Sequence, residues 1–217
     1  MTLDRYTDLI RCLPYLDQAF ETKAATWKRY NDNPIFSNFC ERNFLKDKIK
    51  LSRSDLFKAC KQNFHDAVFS IIFWGYPRNM RGNSFQSILK ALDKIEASFK
   101  IEKDLSVTDF EKIVYTLHST GVGLSTLSKL LYFFEFKIEK HRCLIFDSRI
   151  IELINDENGF TELKSLTKTG KITEFNKRNK YVAYLQLMED LSQVNRYEPD
   201  KLELFLFSMG KNLKSSN

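Results

Sequence analysis

Asp147 ends an apolar run, CLIFDSR over residues 143–149, and a tight Gly121-Val122-Gly123 step lies upstream of it. A carboxylate reached through apolar residues can stabilise developing positive charge or help activate water. Two glycines around one small apolar residue allow a sharp turn and positive φ. If a new helix starts at once, the N–H groups of the turn and of that helix's first turn point outward together, at the positive end of a dipole. Such a nest binds phosphate without side chains. The same step also reads as an ordinary corner between helices with a glycine C-cap. Asp147, just before Ser148-Arg149-Ile150, is also a good N-cap, and a cap would orient the carboxylate, so both roles are compatible. Lys129 is the third candidate. It shares a helix face with Ser125 at i, i+4, and its stem leans back over the Ser125 position. A neutral amine there is a nucleophile; a charged one contacts phosphate or stays solvated.

The stretch 67–92 contains no acid, although Asp66 and Asp93 bracket it. Inside it Trp74, Tyr76 and Asn79 are candidates for a base pocket or a wedge, because aromatics stack on bases. Arg78 and Arg81 are candidates for phosphate contacts. The structural alternative is a loop whose Trp74 and Tyr76 anchor it to the core. The basic run 177–180 reads as a solvated helix face that can also touch phosphates. His65, His118 and His141 stand apart, without acid or cysteine spacing, and suggest no metal. The four cysteines, 12, 40, 60 and 143, form no CxxC. A zinc ribbon or an iron–sulfur cluster is therefore not expected, and reduced thiols fit a cytoplasmic protein.

These residues need a scaffold of helices. The chain has 217 residues, 43% hydrophobic and 29% charged, with only 7 glycines and 4 prolines. That is one globular domain over 1–217, or two small lobes sharing a core, and the shortage of breakers speaks against an all-β sandwich. The net charge of +6 favours a polyanionic partner. The first residues lack a signal-peptide pattern, and no apolar run is long enough to span a bilayer, so no membrane is expected. Apolar spacing predicts helices over 15–30 (Leu16, Phe20 and Trp27 inward), 65–74, 85–99 and 108–118. Ser54 is the expected N-cap of a helix containing Leu56, and Thr108 with Glu111 the expected capping box. Further helices are expected from Gly123 to about 134, from 150, over 177–191 and over 200–210. Residues 35–51 read as loop or short helix, and 156–171 as ordered loop or short helix.

The order helix, Gly-Val-Gly, helix, short loop, aspartate resembles the helix-hairpin-helix DNA glycosylase superfamily. The chain is also similar to a bacterial group with an 8-oxoguanine-glycosylase-type fold, through FWGYPR at 73–78, GLSTLSKLLYF at 123–133 and LFLFSMGK at 204–211. The resemblance implies an all-α helix-hairpin-helix fold with the hairpin near 116–134. It implies that Gly121, Val122, Gly123, Ser125 and Thr126 grip the phosphates of double-stranded DNA, that Asp147 faces a flipped nucleotide, and that a modified base is excised. Bifunctional members carry a nucleophilic lysine where this chain has Ser125. Adenine glycosylases of the superfamily have Ser-Thr there, as here, but they also carry an iron–sulfur cluster. Lys129, 18 residues before Asp147, keeps close to the superfamily's lysine-to-aspartate interval. An oxidised purine and a hypermodified base of phage DNA both fit, for repair or defence. A non-enzymatic DNA-binding hairpin protein and a helical protein-interaction module are the rival readings. No cofactor is implied.

Overall fold

The structure is a computed structural model that describes residues 1–44, 46–80, 84–210 and 212–213. Short 3-10 turns and α1 (Thr7–Cys12) open the chain, and β1 (Ala19–Lys23) follows. Next come α2 (Ala24–Trp27), α3 (Pro34–Asn43), β2 (Lys48–Ser52), α4 (Arg53–Ala59) and α5 (Phe64–Gly75). The middle holds α6 (Ser84–Lys90), α7 (Leu92–Phe99), β3 (Asp104–Leu105), α8 (Val107–Leu117) and α9 (Leu124–Phe133). β4 (Lys137–Ile138) and β5 (His141–Arg142) precede α10 (Ser148–Asn155), a 3-10 helix over Thr161–Thr167, α11 (Lys177–Asn195) and α12 (Pro199–Ser208). No described helix is long and apolar enough to cross a membrane.

The chain is mostly helical, but the all-α expectation needs correction: two small sheets are present. β1 pairs antiparallel with β2, from Ala19 opposite Ser52 to Lys23 opposite Lys48. β4 pairs with β3 in parallel and with β5 antiparallel. Residues 15–30 are therefore not one helix. Of the expected inward residues, Trp27 is buried and Phe20 half-buried, whereas Leu16 is 41% exposed; Thr22 of β1 is buried instead. The Thr22 hydroxyl donates to Pro77 O at 2.7 Å and accepts from Trp27 Nε1 at 2.8 Å. The strand exists because β2 supplies its hydrogen bonds, and no local pattern announces a partner that far along the chain.

Helix α5 is the centre. Asn63 caps it, and every side chain over 67–74 is buried, as befits a helix that is apolar all round. It packs against α3, α4, α7, α9 and the β1–β2 pair. The expected helix over 85–99 breaks at Ala91 into α6 and α7, yet of its stripe Ile88, Leu89, Leu92 and Ile95 are buried and Phe99 is half-buried. Two caps lie two residues earlier than expected. Ser52, not Ser54, forms a capping box with Asp55, and Ser106, not Thr108, caps α8 through Asp109. Ser52 ends β2 and Ser106 follows β3 directly, so the extended residue available for an N-cap comes sooner.

Candidate functional site

Helices α8 and α9 are joined by the turn over 118–123. Only one of its glycines needs its freedom. Gly121 has φ of +80°, and a Cβ there would stand 2.4 Å from the Ser84 carbonyl oxygen of α6. Gly123 is extended (φ −75°, ψ 170°), exposed, and acts as the N-cap of α9; a Cβ there would meet nothing within 4 Å. The expectation of positive φ thus holds at the first glycine and not at the second. Val122 is buried and anchors the turn. The N–H groups of Gly123, Leu124 and Ser125 have no acceptor among the described residues, as at any helix start.

Asp147 caps α10: its Oδ1 accepts from the N–H of Arg149 at 3.0 Å and of Ile150 at 3.3 Å. Oδ2 has no partner among the described residues. The extended segment before it has no sheet to satisfy its backbone, so side chains do so. Ser128 Oγ of α9 accepts from Phe146 N–H at 3.0 Å, while the hydroxyls of Tyr181 and Tyr184 of α11 donate to Leu144 O and Ile145 O at 2.8 and 3.2 Å. Three buried hydroxyls therefore fix where the carboxylate sits.

Lys129 is buried, 4% exposed, and not a solvated lysine. Its Nζ donates to Ser125 Oγ at 3.0 Å and to Ser125 O at 3.1 Å, and lies 5.2 Å from the centre of the Tyr76 ring. The backward lean expected from i, i+4 is what the structure shows. Gly75 makes room for it: a Cβ there would come within 2.8 Å of Lys129 Cδ.

These residues meet in one cavity of about 790 Å³, lined among others by Trp74, Tyr76, Gly123, Ser125, Lys129 and Asp147. Asn79, Gly121 and Thr126 line it too. Trp74 is 3% exposed, its Nε1 bound to Gln18 O at 3.2 Å and its ring edge-on to Phe133 and Phe20. It is a wall and cannot project into a duplex as a wedge. Thr126 is buried and shares a 2.8 Å hydrogen bond with the Tyr76 hydroxyl, so its side chain does not face phosphate. Asn79 adopts φ of +86° and its Oδ1 accepts from Met80 N–H at 2.7 Å. It shapes the loop. Arg78 is exposed and outside the cavity lining; Arg81 lies outside the described residues.

Sequence reasoning missed the cavity's second acid. Glu203 of α12 lines the cavity and is fully buried, with Oε2 2.6 Å from Nη2 of the equally buried Arg53. Its Oε1 has no hydrogen-bond partner among the described residues. Burial pushes this carboxyl up to about 7 despite the opposing pull of Arg53, and Asp147 and Asp200 add to the rise. Arg53 also donates to Gln18 Oε1 and to the Tyr132 hydroxyl, and Tyr132 donates to Asp200 Oδ1 at 2.7 Å. Phe207, one turn after Glu203, completes an aromatic wall with Phe20 and Trp74, and Arg149 lies 4.8 Å over its ring. The i, i+4 spacing of Glu203 and Phe207 was visible. That the acid faces inward was not, because α12 is apolar on most of its faces.

The histidines stand apart in sequence, but folding brings His65 within 4.8 Å of Asp93 and Glu96 of α7. Glu96 is already paired with His65 at 3.2 Å and with Lys100 at 2.9 Å. The four cysteines are free thiols, Cys143 buried and the others at least partly accessible.

A family model described as "Putative 8-oxoguanine DNA glycosylase OGG-like protein" matches residues 14–207. Neither a curated protein nor a solved structure matches the chain.

Proposed function

Since the chain belongs to the family of 8-oxoguanine DNA glycosylase OGG-like proteins, we propose that it docks on duplex DNA through the turn over 121–125 and excises a modified base flipped into the cavity. The observation that carries this reading is the meeting of Asp147, Lys129 and the N-terminus of α9 around one cavity. A base must leave the stack before its glycosidic bond can be reached. The Asp147 carboxylate stabilises the oxocarbenium-like sugar while a water oxygen bonds to C1′. The base departs with the electron pair of the C–N bond and takes up a proton. The aromatic wall of Phe20, Trp74 and Phe207 suits a flat base, and the Glu203 carboxyl at the cavity can accept from a base N–H.

The placement of Lys129 supports a second route at the same site. Its Nζ, once deprotonated, attacks C1′ in place of water; ring opening gives an imine, and β-elimination then nicks the strand. The test is base release and nicking on a panel of duplexes carrying 8-oxoguanine or hypermodified phage bases, with wild type, Asp147→Asn and Lys129→Ala. Alkali-labile sites that vanish in Asp147→Asn support the glycosylase. Borohydride trapping that vanishes in Lys129→Ala supports the lysine route. Tight duplex binding without release of any base on the panel favours a non-enzymatic DNA-binding protein.

A further inference from the structure

A second pocket of about 760 Å³ lies across the segment 143–146 from the cavity: Leu144 lines it, while Ile145 and Phe146 line the first. Six cationic side chains converge on it, Arg11 of α1, Lys137, Lys140 and Arg142 of the β4–β5 hairpin, Arg196 after α11 and Lys201 of α12. Its two acids do not balance them. Glu198 is exposed, as are Lys137, Lys140 and Arg196, and Glu189 is engaged by His141 Nδ1 at 2.5 Å, so the lining cations outnumber the lining acids. None of the six lines the cavity that holds Asp147, so the proposed glycosylase chemistry leaves them unexplained.

Half of these cations are fixed in place. Arg11 donates to Asn195 O through Nε and Nη2 at 3.2 and 2.7 Å, Lys201 donates to Arg11 O at 2.7 Å, and Arg142 pairs with the buried Asp200 at 3.2 Å. The side chains of Lys137, Lys140 and Arg196 make no hydrogen bond or ion pair among the described residues. Two of the three stand on left-handed backbone: Lys140 sits in a two-residue hairpin turn at φ +69°, and Arg196 ends α11 at φ +57°, a conformation that long side chains seldom adopt. Like charges gathered in a concavity repel unless an anion joins them, and a concavity focuses that field. Arginine forks beside lysines match the oxygens of phosphate.

We propose that this pocket binds phosphate groups, as a site separate from the base-excising cavity. The phosphate can belong to a free nucleotide or polyphosphate, or to a DNA strand running past the cavity. The probes are tripolyphosphate and ATP in calorimetry, and a fluorescent undamaged duplex in anisotropy, all with the full chain. The triple variant Lys137→Ala, Lys140→Ala, Arg196→Ala removes only side chains without a partner among the described residues, and thermal melting checks that it folds. Saturable tripolyphosphate binding is expected, weakened at least about tenfold in the triple variant. Tighter binding of ATP, with no displacement by duplex, assigns the free ligand. Displacement by duplex, with the slope of log affinity against log salt reduced by up to about 3 in the triple variant, assigns the strand. The proposal is overturned if neither phosphate probe binds saturably and duplex binding is unchanged in the triple variant. It is equally overturned if tripolyphosphate binds the triple variant as well as wild type. Neither result depends on base release, so failure here leaves the glycosylase reading standing.

Discussion

Replacing each hairpin glycine by alanine separates a folding role from a binding role. At Gly121 an L-residue would be held at φ +80°, which costs about 1–2 kcal/mol. Its Cβ would also sit 2.4 Å from Ser84 O and 3.1 Å from Ser87 Cβ. Those are atoms of a packed helix, and relieving such overpacking costs about 1–3 kcal/mol. Gly121→Ala should therefore destabilise the protein by about 2–5 kcal/mol, a Tm drop of roughly 4–20 °C for a chain of this size. At Gly123 the backbone is extended and a Cβ meets nothing within 4 Å. The entropic gain of alanine and its weaker N-capping nearly cancel, so stability should stay within about 0.5 kcal/mol of wild type. The added methyl nevertheless sits at the N-cap of α9, where in the proposed docking a phosphate approaches the N–H groups. Losing one hydrogen bond to a charged group costs about 1.5–3 kcal/mol, so duplex affinity should fall at least about tenfold. Urea melts and duplex anisotropy at one fixed salt concentration measure both quantities. A Gly123→Ala protein of wild-type stability and wild-type duplex affinity would refute the phosphate seat. A fully stable Gly121→Ala would refute the packing of the turn on α6.

Four further outcomes follow. Asp147→Asn should keep its Tm within a degree or two, because asparagine caps a helix as well as aspartate, and should lose at least about 100-fold in base release; single-turnover assays with matched melts check this. Gly75→Ala should push the Lys129 stem aside, since its Cβ would lie 2.8 Å from Cδ; borohydride trapping should fall far more than duplex affinity. Ser128→Ala leaves the buried Phe146 N–H unpaired, so it should cost about 1–3 kcal/mol in urea melts and slow base release by loosening Asp147. Burial holds Glu203 up to about 7, so between the ordinary carboxylate range and pH 7 the folded chain keeps a proton that the unfolded chain has released. Stability should therefore fall as pH rises through that window and level off above it. Melts at pH 5, 6, 7 and 8 should show this slope in wild type and a flatter one in Glu203→Gln.

The sequence by itself carried what is local. The apolar run of α5, the stripe of α6 and α7, the helix after Gly123 and the backward lean of Lys129 all arise within one or two helical turns, where periodicity and side-chain direction act. The cap at Asp147 was legible for the same reason: the residues it bonds, Arg149 and Ile150, lie two and three positions on. The resemblance of that order of elements to a DNA glycosylase superfamily agrees with the family match over 14–207. What the tertiary structure decided are pairings between residues distant in sequence, which leave no local trace. Residues 15–30 were helical in spacing, but β1 pairs with β2 across the intervening α2 and α3. Gly121 reads as a turn residue until Ser84 of α6 is found against it, and Gly75 as a helix stop until Lys129 is found beside it. Arg53 and Glu203 look like two ordinary surface charges on separate helices. Only the fold removes both from water and sets the Glu203 carboxyl against the Arg53 guanidinium beside Asp147, because a buried guanidinium is tolerable only where a partner is buried with it.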